Sequence, residues 1–187
     1  MDMQLTPTEV LRERGRILLR RGSLKRLAVS AGATVVSTLI LFGLLFGVAI
    51  VHGDSMNPAF RNNDLTLYSR LRRFGARGYS AGDVVILRPD AQGLRRYVKR
   101  VVGVPGDLVE IGAPGGLFIN NEALSEPYAL GGTARTGAVS FPLRLGEGEY
   151  FVLGDNRENS SDSRSFGAIT ARQIDGRVLA VLRTKRP

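Results

Sequence analysis

LAVSAGATVVSTLILFGLLFGVAIV, residues 27–51, is a run without a single charged side chain. A helix rising 1.5 Å per residue needs about 20 apolar residues to cross a bilayer. This run is long enough to do so with some tilt. A buried helix of a soluble protein could read the same way, so the flanks matter. Arg12, Arg14, Arg16, Arg20, Arg21, Lys25 and Arg26 precede it, against only Asp2, Glu9 and Glu13. Crowding of basic residues at one end predicts a membrane span with that end in the cytoplasm. The expected organisation is therefore a basic cytoplasmic segment over 1–26, a transmembrane anchor over 27–51 and an extracytoplasmic domain over 52–187. No second run of spanning length follows, which makes the expected protein single-pass in the inner or plasma membrane. A cleaved leader is the competing reading. Its apolar core is usually about 7–15 residues, shorter than this one, but Gly47-Val48-Ala49 keeps small residues in an A-x-A-like spacing. Pro7, Val10, Leu11, Ile17, Leu18 and Leu19 among the arginines fit a helix on the inner membrane surface as well as a solvated basic tail.

The formal charge of the 187-residue chain is +9. No zinc-finger, RNP-type or helix-turn-helix pattern accompanies it, so nucleic acid is not an expected partner. The charge bias belongs to the membrane instead, and the lipid bilayer is the first partner expected. The chain has no Cys and one His, His52. That excludes a disulfide scaffold and thiolate metal sites and speaks against a His-based zinc site. No metal and no cofactor are expected.

Outward from His52 the pattern turns to β. Residues 65–68, 83–87, 108–111, 150–153 and 178–182 are short runs rich in strand formers, and 97–102 alternates. Asn120-Asn121 fits the turn of a hairpin between 117–119 and 122–124. Residues 169–174 could hold a helical turn. Residues 129–148, with GGTARTG inside, read as a mobile loop. Many short strands with Gly-rich turns predict a mainly β fold. The expected form is an antiparallel β-sandwich or barrel-like catalytic domain preceded by one transmembrane helix.

Two stretches of that domain carry chemistry. Gly53-Asp54-Ser55-Met56-Asn57-Pro58 offers a serine after a small residue that lets a substrate backbone come close. An Asx or Ser turn would use the same residues. Arg96-Tyr97-Val98-Lys99-Arg100 offers a lysine whose alternation places Tyr97, Lys99 and Val101 on one face. Burial there would lower the lysine pKa and let it take a proton from a serine. A snorkelling surface lysine is the bland alternative. With no Cys and a lone His, Lys is the natural base for any serine nucleophile.

A third stretch, Gly154-Asp155-Asn156-Arg157-Glu158-Asn159-Ser160-Ser161-Asp162-Ser163-Arg164, brings in a resemblance. GDSMNP, then Gly82-Asp83-Val84-Val85, then RYVKRVVGVPGD over 96–107, then GDNRENSSDSR occur in that order behind an apolar anchor. Over residues 27–183 or so the chain resembles the type I signal peptidases, membrane-anchored serine proteases that use a Ser/Lys dyad. The resemblance implies Ser55 as nucleophile and Lys99 as general base. It implies Ser160 as a serine that hydrogen-bonds the lysine amine, and Asp162 and Arg164 as a salt-bridged pair shaping the site. It implies Met56, Tyr97 and Val98 in the substrate cleft and the Ser55 backbone N–H in the oxyanion hole. Glu158 stands where Asp is usual, and Ala59 where Thr is common. Gly53 stands where some members have a serine hydroxyl as second oxyanion donor, a group worth roughly 3 kcal/mol.

The function so implied is removal of N-terminal signal peptides from secretory precursors after small residues, through an acyl-enzyme. The precursors are the expected protein partners. A peptidase dedicated to one substrate, such as a pilin or a conjugation protein, is the near alternative. A non-catalytic membrane-anchored β module is the distant one. Self-cleaving repressor-type Ser/Lys proteases share a GDSM-like box but lack both the anchor and the GDNR box.

Overall fold

The computed structural model describes residues 7–71, 78–89, 95–113, 115–137 and 139–183, with side chains from residue 24 onward. The chain divides into two units, one ending at Leu44 and one beginning at Leu45.

The first unit is a single helix, α1, Pro7–Leu45. Its stretch Leu24–Leu45, 22 residues, is long and apolar enough to cross a membrane, and its most apolar window is not buried by protein. At 1.5 Å per residue the stretch spans about 33 Å, enough for a hydrocarbon core of about 30 Å. Its hydroxyls are satisfied internally: Ser30 donates to Leu27 O, Thr34 to Ser30 O, Ser37 to Ala33 O and Thr38 to Thr34 O. Such back-bonding removes the cost of placing hydroxyls in an apolar medium.

The second unit is antiparallel β. Its strands are β1 Phe46–Ile50, β2 Leu65–Ser69, β3 Val84–Leu87, β4 Tyr97–Gly103, β5 Leu108–Gly112, β6 Gly116–Ile119, β7 Glu122–Ala123, β8 Leu143–Arg144, β9 Glu149–Leu153, β10 Ile169–Thr170 and β11 Ile174–Leu182. A short helix, α2, covers Ser163–Phe166. Seven strands form one sheet in the order β1-β2-β11-β3-β4-β9-β10, and four form a second in the order β7-β6-β5-β8. The larger sheet curls into a half-barrel, which agrees with the antiparallel, barrel-like expectation.

Two expectations change and a third is met. The charge-free run does not stay helical to its end: residues 46–50 leave the helix and pair with β2, Gly47 opposite Tyr68 and Ile50 opposite Leu65. The β unit thus begins inside the stretch read as anchor. Gly47 permits the pairing, because a side chain there would run into the Tyr68 ring. Residues 129–148 are irregular yet tied down. Leu130 bridges to Asn156, Thr133 and Leu145 are buried, and β8 pairs with β5. The helical turn expected within 169–174 is present as a 3-10 turn, Ala171–Gln173, between β10 and β11.

The core follows the period-2 alternation of β4 and β9. Val101 and Val152 point into one cluster with Val85, Leu87, Tyr150, Ile169 and Ile174. Val102, Phe151 and Leu153 point into another with Val109, Ile111, Leu117 and Leu145. A third cluster, Val51, Met56 and Phe60 packed against Val84, Val98, Val178 and Val181, lies under the turn that carries Ser55.

Candidate active site

Met56 and Phe60 anchor the nucleophile turn by inserting into that third cluster, while Phe60 N–H donates to Met56 O at 2.9 Å. Asn57 N–H donates to Asp54 O at 3.1 Å and Asn57 Nδ2 to Asp54 Oδ1 at 3.2 Å. A hydrogen-bonded turn like the bland alternative is therefore present, although Asp54 closes it through its backbone carbonyl and a side-chain contact to Asn57 rather than as an Asx turn. It coexists with the chemical reading, since it holds the half-buried Ser55 above the core. Gly53 has φ +89°, a conformation that favours glycine, and its N–H donates to Asn62 Oδ1 at 3.1 Å.

The turn is held from the far side as well. Asn156 N–H donates to Ser55 O at 3.0 Å, and Asn156 Nδ2 to Asp54 O at 3.2 Å. Ser55 O is thereby occupied. The Ser55 N–H donates to no acceptor among the described residues, so it is available to an incoming oxygen.

Lys99 sits on β4, opposite Val85 of β3, and is 1% exposed. Its Nζ donates to Ser55 Oγ at 2.6 Å and lies 5.6 Å from the centre of the Tyr97 ring. Tyr97 and Lys99 do share a face, and the surface-lysine alternative falls. Burial lowers the amine pKa from 10.5 to about 8; Asp162 opposes the shift, Arg164 adds to it, and Asp155 opposes it. Desolvation wins because the ammonium has no carboxylate in direct contact. A substantial neutral fraction therefore exists near pH 8.

Asp162 and Arg164 are paired as expected, Nε to Oδ1 at 2.8 Å and Nη2 to Oδ2 at 2.9 Å, both buried. Burial alone would raise the Asp162 pKa. The Arg164 guanidinium and the Gly154 N–H, which donates to Oδ2 at 3.1 Å, more than offset this and hold it below the usual carboxylate value. Arg164 Nη2 also donates to Arg157 O at 2.7 Å. The pair thus locks α2 onto the end of β9.

Ser160 does not hydrogen-bond Lys99. Its Oγ is buried and meets no partner with full hydrogen-bond geometry, although it lies close enough to help keep Asp162 charged. His52 is exposed at the cleft and makes no hydrogen bond to Ser55 among the described residues.

A cleft of about 810 Å³ opens beside the dyad, lined by β1 from Val48 onward and by Met56, Ile86, Tyr97 and Val98. Met56, Tyr97 and Val98 thus all reach it. Two supporting pairs escaped the reading of the sequence. Arg100 donates to Asp155 at 2.6 and 2.8 Å, with its guanidinium stacked 4.1 Å from the centre of the Tyr128 ring. The buried Arg157 pairs with Glu126 at 2.7 Å and donates to Gly154 O at 2.9 Å. Asp155 and Arg157 lie in the quoted GDNR box, but nothing in the sequence named Arg100, Tyr128 or Glu126 as their partners.

A family model described as "Signal peptidase, peptidase S26" matches residues 24–183. Signal peptidase I of Bacillus licheniformis is 36% identical over 151 residues, which cover 76% of this chain and 79% of that protein. Signal peptidase I S of Bacillus subtilis is 34% identical over the same length and coverage. Among solved structures, a signal peptidase I from Enterococcus faecalis aligns with a TM-score of 0.45 at 33% identity, covering 56% of this chain and 98% of that one.

Proposed function

This chain belongs to the signal peptidase family, peptidase S26, and from that premise we propose a Ser55/Lys99 serine endopeptidase that cuts signal peptides from secretory precursors after A-x-A. The 2.6 Å contact between the buried Lys99 amine and Ser55 Oγ carries the reading. In the neutral amine the bond reverses, and Ser55 O–H donates to Nζ. Lys99 takes that proton as Oγ attacks the carbonyl carbon of the scissile bond. The Ser55 N–H receives the developing oxyanion. Collapse of the tetrahedral adduct breaks the C–N bond. The Lys99 ammonium returns the proton to the departing amine of the mature chain and leaves an ester on Ser55. A water then gives its proton to Lys99 and its oxygen to the acyl carbon; the C–Oγ bond breaks, and Lys99 returns the proton to Ser55 Oγ. Asp162 and Arg164 fix the segment beyond β9 around this centre, and the buried Ser160 hydroxyl helps keep Asp162 charged.

Specificity follows from the cleft. β1 is an edge strand of the large sheet, so a peptide can pair along it as an added strand. Small side chains at the first and third positions before the cut would fill shallow pockets against Met56 and Val98. The apolar helix keeps the enzyme in the same membrane as its precursors, which raises their effective concentration. The basic N-terminal segment favours an orientation with residues 1–26 in the cytoplasm and the β unit outside.

The experiment is cleavage of an A-x-A precursor by the purified full-length protein in detergent, with the new N-terminus sequenced. Wild type should cut after the final Ala. Ser55→Ala should lower kcat by about 10⁴-fold or more, with an unchanged fold by circular dichroism, whereas His52→Ala should lose far less. Near wild-type turnover by a folded Ser55→Ala protein would overturn the assignment. An essential His52 would replace the Ser/Lys mechanism with a Ser/His one.

A further inference from the structure

The nucleophile turn borders two cavities. Ser55 and Met56 face the apolar cleft, whereas Asp54 and Asn57 line a second, polar cavity of about 530 Å³. Its other walls include Arg61, Asp64, Leu130 and Arg183. Leu130 is fixed there: its N–H donates to Asp155 O at 2.7 Å, and its bridge to Asn156 joins it to the residue that holds Ser55 O.

The charges of the cavity are unequally available. Asp64 is 3% exposed, and its Oδ2 accepts the Arg61 N–H at 2.8 Å. Asp54 Oδ1 accepts from Asn57 Nδ2. Each carboxylate accepts a hydrogen bond within the turn it closes, and both side chains are short. The Arg61 and Arg183 guanidiniums are on exposed residues and have no hydrogen-bond or ion-pair partner among the described residues. The long side chains that can reach a passing peptide are therefore the cationic ones.

We propose that this cavity receives the start of the mature chain and that Arg61 and Arg183 favour an acidic side chain within its first three residues. The proposal rests on the peptidase reading above and adds a specificity-determining subsite on the far side of the scissile bond. Exposed ion pairs are individually weak and are screened by salt. The effect expected is accordingly modest, about three- to tenfold in kcat/KM.

The test uses the full-length protein in detergent and three precursors with one fixed A-x-A signal region. Their first three mature residues carry Glu, Ala or Lys. Wild type should prefer Glu to Lys by three- to tenfold, and the gap should shrink in 0.5 M salt, where the screening length falls to about 4 Å. The Arg61→Glu/Arg183→Glu double variant should invert the order, and the single variants Arg61→Gln and Arg183→Gln should each narrow the gap. Equal cleavage of the Glu and Lys precursors by wild type would overturn the proposal and leave the peptidase reading intact, because the Ala precursor is still cut. The same holds if the gap persists unchanged in both single variants. Failure to cut any of the three would bring down both readings together.

Discussion

Lys99 and Gly154 set the chemistry at the scale of single residues. Lys99 is useful because it is costly to keep charged: its burial against Tyr97 lowers the pKa to about 8. Gly154 is the less obvious one. It directly follows β9, and its N–H holds Asp162. A methyl group at this position would collide with the Ser160 side chain and would stand 2.5 Å from the Ser55 carbonyl oxygen. No rotamer change relieves a clash with backbone, so the nucleophile turn must move. Gly154→Ala should lower kcat by at least about 100-fold, since small displacements of reacting groups are that expensive. Overpacking should cost stability about 1–3 kcal/mol. Turnover by the purified variant together with its thermal melting curve checks both. Wild-type kcat would mean that the turn is not braced where the structure places it.

At the scale of elements, what the sequence announced depended on periodicity. The alternation of 97–102 was readable and became β4, with Val101 and Val102 feeding opposite cores. The Asn120-Asn121 turn was readable because both residues adopt positive φ, 54° and 68°, which Asn tolerates. β1 was not readable. Phe46–Ile50 continues an apolar run, and over five residues a strand and a helix end cannot be told apart by hydrophobicity; only its pairing with β2 decides. The loop over 129–148 was misread for a related reason. Its Gly-rich composition signals irregular backbone, but its order comes from distant partners: Asn156 for Leu130, and Arg157 for Thr133. The motifs named Ser55 and Lys99, which the structure brings into contact, and Asp162 and Arg164, which pair, but the hydrogen bond they implied from Ser160 to Lys99 is not made. The bracing of the site was not legible, because Arg100 with Asp155 and Arg157 with Glu126 join positions 55 and 31 residues apart.

The molecule as a whole joins an apolar helix to a β unit, and the proposed function requires that unit to face the side on which precursors emerge. The absence of cysteine gives a clean test. A single Ser125→Cys, at an exposed position, should react with a membrane-impermeant maleimide in intact spheroplasts. Protection there, with labelling only in inverted vesicles, would reverse the proposed topology. Turnover is the property that draws on every part of the molecule, and its pH dependence reaches the central claim. A base must be neutral to accept the Ser55 proton. Activity lost at low pH should therefore return as pH rises through about 8, the lowered pKa of Lys99, rather than through the histidine range. Lys99→Arg keeps the positive charge but cannot lose its proton. The decisive measurement is kcat/KM for an A-x-A precursor from pH 6 to 10, by wild type and Lys99→Arg. The account predicts a wild-type rise centred near pH 8 and no measurable activity for the folded variant at any pH; substantial activity in Lys99→Arg would contradict it.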